Sequence, residues 1–175
     1  MTTLYTTFDS PLGELLLVGK ASGTAKGGTA LASLSMTGRR NRAEPRDDWT
    51  YDPHAFTEIE RQLTAYFAGE LTVFEIEFTT RGNDFQQRAW KALEAIPYGV
   101  TTTYGRLAEQ LGIPRAEVKD LGIAIGQNPL LVVRPCHRVI GAGGTLKGYA
   151  GGLERKRQLL DLEDLEDLEG VHQAA

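Results

Sequence analysis

The chain has 175 residues, 41 % of them hydrophobic, with one cysteine and a net charge of −4, which is enough length for one good-sized domain or two small ones with a real core. A single cysteine excludes an internal disulfide framework, and no Cys/His cluster has zinc-ligand spacing, which excludes a zinc finger; the expectation is a protein with no metal and no cofactor. The start Met1-Thr2-Thr3-Leu4-Tyr5 lacks a basic region with an apolar run, and no stretch approaches the ~20 apolar residues of a membrane span; the expectation is a soluble, cytoplasmic protein with a reduced thiol and no membrane partner.

Charge is unevenly spread. Residues 1–100 hold 10 Lys/Arg against 13 Asp/Glu, residues 101–160 hold 9 against 4, and residues 161–175 hold none against 6. The net acidity therefore comes largely from the tail, while the segment with the cysteine is locally basic.

In chain order, Leu4-Tyr5-Thr6-Thr7-Phe8 and Leu15-Leu16-Leu17-Val18 flank the turn formers Asp9-Ser10-Pro11-Leu12-Gly13 and read as a β-hairpin. From Ala21 to Asp48 periodicity is weak, apart from a short strand pattern at Ala30–Leu34, and parts of this stretch are expected to be mobile. Asp52-Pro53 starts a helix of about 15 residues whose apolar face is Phe56, Ile59, Leu63, Tyr66 and Phe67, ended by Gly69. The alternation in Val73–Phe78 predicts a further strand packed on that helix. A domain boundary follows at about residue 80, giving an N-terminal α/β domain over 1–80 and a mostly helical domain over 81–175.

In the second domain Asn83 with Gln86 resembles a capping box before a helix that Pro97 stops. Thr103 caps a helix ended by Gly112, and Pro114 opens another, with Val118, Leu121 and Ile125 inward, ended by Gly126 and Asn128-Pro129. The pair reads as a helix-turn-helix or as an αα-corner with no nucleic-acid role. The run Leu130–Val133 must be buried and delivers the chain to Pro135-Cys136. Glycines 141, 143, 144, 148, 151 and 152 then form a loop where backbone approaches something closely, and a helix from Leu153 is expected to fray beyond about residue 165.

Cys136 stands beside His137, between Arg134 and Arg138. A thiol near its reference pKa of ~8.5 is mostly protonated at neutral pH, so a nucleophilic role needs a base or a positive field. Neighbouring side chains need not meet, but a helical turn at Cys136-His137 or a bridging water would solve the geometry. The alternative is a buried cysteine beside a surface histidine.

The string Pro135-Cys136-His137-Arg138-Val139-Ile140-Gly141 closely resembles the active-site motif of the O6-alkylguanine-DNA alkyltransferases. Phe85-Gln86, Trp90, Ile96-Pro97-Tyr98-Gly99, Thr103-Tyr104-Gly105, Asn128-Pro129, Gly148–Leu153 and Lys156 fall in the family's order, and Ser10–Gly13 and Tyr66–Gly69 are looser matches before residue 80. The resemblance implies an α+β fold, with an antiparallel, ribonuclease H-like N-terminal sheet plus helix and a winged-helix-like C-terminal domain with a helix-turn-helix.

The resemblance also implies a monomer that binds duplex DNA, flips an O6-alkylguanine (and an O4-alkylthymine) from the stack and transfers the alkyl group irreversibly to Cys136. His137 would take the thiol proton through water, and Glu163 would hold the imidazole. Tyr104, the Val139 carbonyl, Tyr149 and Ala150 would meet the base, Asn128 would brace the turn, and Lys156 would support Tyr149. Thr103, Lys119, Gln127 and Arg138 would face DNA. One departure is Lys119-Asp120, where the family has arginine and alanine, after a turn one residue longer. A non-catalytic damage sensor and a cysteine hydrolase are the competing functions.

Overall fold

The structure is a computed structural model that describes residues 2–36, 38 and 44–164. The fold is mixed α+β, as expected, in two compact units. One comprises the chain up to Gly82 together with Pro129–Val133; the other comprises Asn83–Asn128 and the chain from Arg134 onward.

In the first unit β1 (Leu4–Ser10) and β2 (Gly13–Ala21) form the expected hairpin, and β3 (Thr29–Met36) adds antiparallel to β2. The hairpin turn is closed by Ser10, whose Oγ accepts from Leu12 N at 3.1 Å and donates to Gly13 O at 2.7 Å, and Gly13 has φ +100°. A register shift falls at Val18/Gly19, where a Cβ on Gly19 would lie 2.5 Å from Ala30 O, so only glycine fits. The sheet order is β3-β2-β1-β4, with β4 (Thr50–Tyr51) parallel to β1, so the sheet is not wholly antiparallel. As a central strand, β2 buries Leu15, Leu16 and Leu17 completely, each contributing on the order of 2 kcal/mol.

Asp52 caps a 3₁₀ turn over Pro53–Phe56, its carboxylate accepting from Ala55 N, and α1 (Thr57–Phe67) follows with Ile59, Leu63 and Tyr66 buried. The strand expected at 73–78 is absent. Gln62 of α1 bonds both backbone groups of Glu75, at 2.8 and 3.1 Å, which diverts them from a ladder; a single bridge at Leu31/Phe78 remains. The apolar run 130–133 is buried as expected, and Leu34 pairs with it through Pro129 O and Leu131 N. Within the weakly patterned stretch before Asp48, the short strand pattern at Ala30–Leu34 falls in β3, while residues 37 and 39–43, like the helix end expected beyond about 165, lie outside the described residues.

In the second unit the capping box at α2 (Asp84–Glu94) is complete: Gln86 N donates to Asn83 Oδ1 at 2.8 Å and Asn83 N to Gln86 Oε1 at 2.9 Å. β5 (Thr102–Thr103) leads into α3 (Tyr104–Leu111), which Thr103 caps and Gly112 ends in the left-handed region. Pro114 does not open the next α-helix directly. A 3₁₀ turn at Arg115–Glu117 intervenes, taking up the longer connection, and α4 (Val118–Gly126) buries Leu121, Ala124 and Ile125. β6 (Val139–Ile140) pairs parallel with β5, and α5 (Leu153–Leu162) closes the unit.

Candidate functional site

Two tight turns aim the cysteine. Pro135, with φ −78° and ψ 63°, sits at the centre of an inverse γ-turn in which Cys136 N donates to Arg134 O at 2.7 Å. A 3₁₀ turn over Cys136–Arg138 follows at once, with Arg138 N on Pro135 O and Val139 N on Cys136 O. Both side chains are interior: Cys136 is 6 % exposed and His137 fully buried. The alternative of a surface histidine beside a buried thiol is thereby removed.

His137 Nε2 lies 2.8 Å from Glu163 Oε2. A carboxylate only accepts, so Nε2 carries the hydrogen and Nδ1 keeps its lone pair. Nδ1 has no hydrogen-bond partner among the described residues. Glu163, in the residue that ends α5, also takes Arg138 Nε at 2.7 Å and Nη2 at 3.0 Å, and Arg138 Nη1 reaches Ile96 O at 2.6 Å. Burial would raise the Glu163 carboxyl, but the hydrogen bonds and charges of His137 and Arg138 hold it down to about 2. Burial also lowers His137, against the pull of Glu163, so the imidazole is neutral at neutral pH.

Burial raises the Cys136 thiol; a hydrogen bond from the Asn128 side chain and the charges of Lys156 and Arg134 oppose that rise without overcoming it. The resting sulfur is thus a thiol that needs a base. Cys136 opens on a pocket of about 90 Å³ lined by Tyr104, Gly122, Ile125, Gly126, Gly148, Tyr149 and Ala150. The Tyr104 hydroxyl donates to Lys147 O at 3.4 Å, and burial, then the charge of Cys136, raises its pKa.

Lys156 is fully buried and donates from Nζ to three carbonyls, Val139 at 2.8 Å, Lys147 at 2.6 Å and Gly148 at 3.2 Å. It thus ties the β6 backbone to the loop leading into Tyr149 rather than bonding the Tyr149 ring itself. Burial lowers its pKa to about 8. Loop closure also uses Gly141, whose N donates to Thr145 O at 2.7 Å and where a Cβ would stand 3.0 Å from that oxygen.

The residues expected at DNA divide. Lys119 is exposed in the first turn of α4, with Asp120 beside it; Gln127 is exposed and accepts from Gln86 Nε2 at 2.7 Å; Thr103 is half-buried, its hydroxyl used as the cap of α3. Arg138 is a correction. Its side chain is 8 % exposed and all three guanidinium nitrogens donate inward, to Glu163 and Ile96 O, so it is an interior strut and not a residue presented at the surface to phosphate.

Sequence reasoning missed Gly122 and Ile125 as pocket lining and took Gly126 only as a helix stop. The Gly122-x₃-Gly126 spacing puts two missing side chains on one helical face, a signal that could have found the opening.

Residues 3–80 match the family described as 6-O-methylguanine DNA methyltransferase, ribonuclease-like domain, and residues 84–165 its DNA binding domain. The methylated-DNA–protein-cysteine methyltransferase of Mycobacterium bovis is 52 % identical over 160 residues, 91 % of each chain, and that of Methanosarcina acetivorans 43 % identical over 159 residues, 91 % of this chain and 97 % of its own. A crystal structure of Mycobacterium tuberculosis OGT in complex with DNA superposes with a TM-score of 0.82 at 49 % identity, covering 93 % of both chains. With both halves of its length matched and near-full-length relatives at this identity, the chain belongs to the 6-O-methylguanine DNA methyltransferase family.

Proposed function

We propose that the protein repairs duplex DNA directly, moving the alkyl group of O6-alkylguanine, and of O4-alkylthymine, irreversibly onto Cys136 in a single turnover with no cofactor. The observation that supports it most is a lone thiol at the wall of a small pocket, followed in the chain by a buried imidazole whose Nε2 is held by a buried carboxylate.

In this reading His137 Nδ1 accepts the thiol proton through a bridging water, and Glu163 stabilises the imidazolium that results. The thiolate lone pair forms the S–C bond as the C–O6 bond breaks, its electrons passing to the guanine, which regains neutrality with a proton from Tyr104. The Val139 carbonyl retains a lone pair beyond the one used by Lys156 and accepts from the exocyclic amine, while Tyr149 and the Ala150 N–H meet the base. A thioether has no route back to thiol, which separates this from a cysteine hydrolase. A non-catalytic sensor would have no use for a pocket thiol followed in the chain by a carboxylate-held imidazole.

DNA would lie along α4, with Lys119, Gln127 and Thr103 toward it, and the base would flip into the pocket. The second unit would then hold both DNA and acceptor, in a monomer working in the cytoplasm; among the described residues no helix is long and apolar enough to cross a membrane.

Incubation with a duplex carrying O6-methylguanine, followed by intact and peptide mass, tests the proposal. One methyl on Cys136, absent in Cys136→Ala, is expected. Binding without methyl uptake would favour the sensor, and turnover of an ester the hydrolase.

A further inference from the structure

A second group of side chains surrounds the Cys136 turn and has no part in the scheme above. Arg134 is 3 % exposed, yet carries a permanent charge. Its Nε donates to Glu94 Oε2 of α2 at 3.0 Å, its guanidinium stacks 5.2 Å from the Trp90 ring centroid, and its Nη1 reaches Asn128 Oδ1 at 3.4 Å. Trp90 is itself fixed, its Nε1 donating to Ala124 O at 2.9 Å. The Arg134 carbonyl accepts twice, from Asn128 Nδ2 at 3.1 Å and from Cys136 N at 2.7 Å.

We propose that Arg134 is a positioning residue for the acceptor thiol: held by Glu94 and Trp90, it fixes which end of the Asn128 amide faces the Cys136 sulfur. An asparagine amide has two ends of nearly equal shape and opposite hydrogen-bonding character. A guanidinium only donates and a carbonyl only accepts, so Arg134 selects Oδ1 for its side chain and Nδ2 for its own backbone. The remaining N–H of that amide is then available to the sulfur, in agreement with the Asn128 hydrogen bond that opposes the burial penalty on the thiol. A flipped amide would present an oxygen lone pair to the sulfur and repel a thiolate. Glu94 is half-exposed, at 39 %, so its ion pair with Arg134 adds little stability in itself and serves to orient the fork.

The titratable and charged groups near the thiol are Lys156 from α5, Tyr104 from α3, Tyr149 in the pocket wall and Arg134, with Glu94 behind, and His137 follows in the chain. Arg134 touches both the Asn128 side chain and the Cys136 backbone.

The inference rests on Cys136 as acceptor but has its own readout. Because the chain has a single cysteine, its alkylation by iodoacetamide reports that thiol alone. The rate is measured by mass from pH 7 to 11.5 in wild type, Arg134→Leu and Arg134→Lys, the alkylated site being read at the Cys136 peptide. Arg134→Leu is expected to raise the midpoint of the profile by about one pH unit, a tenfold loss of thiolate at neutral pH. Arg134→Lys keeps the charge without the fork and is expected to shift it about half as far; it also serves if the leucine variant does not fold. An unmoved midpoint in the folded variants, or a profile lowered equally at every pH, would overturn the proposal and leave Arg134 a structural residue. Wild-type protein given the O6-methylguanine duplex in parallel tests the acceptor reading separately: no methyl on Cys136 would end that reading while leaving the thiol comparison intact.

Discussion

Glu163 accepts from His137 Nε2 at 2.8 Å with the same oxygen that takes Arg138 Nη2 at 3.0 Å, so one buried carboxylate serves an imidazole and a guanidinium together. The arrangement leaves Arg138 as the permanent counter-charge, which means the carboxylate stays ionised whether or not His137 is protonated. Such a site can tolerate a transient imidazolium without rearrangement. It also makes Glu163 costly to remove.

Glu163→Ala should cost about 3–5 kcal/mol in urea unfolding, because it strands a buried guanidinium. Glu163→Gln keeps the shape and one acceptor oxygen, and should lose less stability. Both should slow methyl transfer to an O6-methylguanine duplex by about 10²-fold or more if His137 is the base. Equal transfer rates in a folded Glu163→Gln protein would remove His137–Glu163 from the chemistry.

Acid should unfold the protein in two stages, both with the same sign. The folded His137 pKa lies below its ordinary 6.5, so the unfolded chain takes up the proton first and stability begins to fall as pH drops through 6.5. The Glu163 carboxyl is held at about 2 against an ordinary 4.5; its contribution is complete above 4.5 and is lost as pH falls from there toward 2. Thermal melts across this range should show the lower stage flattened in Glu163→Gln.

Much of this site could be read from residues alone, and what could not has a common cause. The hairpin, α1, the capping box and the Thr103 cap follow from local patterns that need no partner. The missing strand at 73–78 failed because Gln62, eleven or more positions earlier, takes its backbone groups. Arg138, which the resemblance put at DNA, turns inward; its carboxylate is 25 positions away. Arg134, Glu94 and Asn128 met for the same reason, through contacts 40 and 6 positions apart that no periodicity announces.

Lys156→Met tests the backbone tie between β6 and the pocket loop. Three carbonyls lose their donor while a buried charge is removed, so the net stability loss should be modest, about 1–3 kcal/mol. Transfer should suffer more than binding. We expect methyl uptake to fall at least tenfold with duplex affinity within about threefold, and amide exchange at Gly148 and Tyr149 to accelerate. Parallel losses in binding and transfer would mean that the loop matters to DNA docking instead.

Lys119 and Asp120 stand exposed together in the first turn of α4, the helix that would face DNA. Lysine offers phosphate a point charge but lacks the planar fork and stacking face of arginine, and Asp120 is repelled by phosphate over distances within a Debye length of about 8 Å at physiological salt. Lys119→Arg combined with Asp120→Ala should therefore tighten duplex binding about tenfold and speed methyl transfer. Removal of Asp120 alone should improve affinity most at low salt, where screening is weakest. Both side chains are exposed, so melting temperature should hardly move, and an affinity unchanged in the double variant would show that this turn of α4 does not meet DNA.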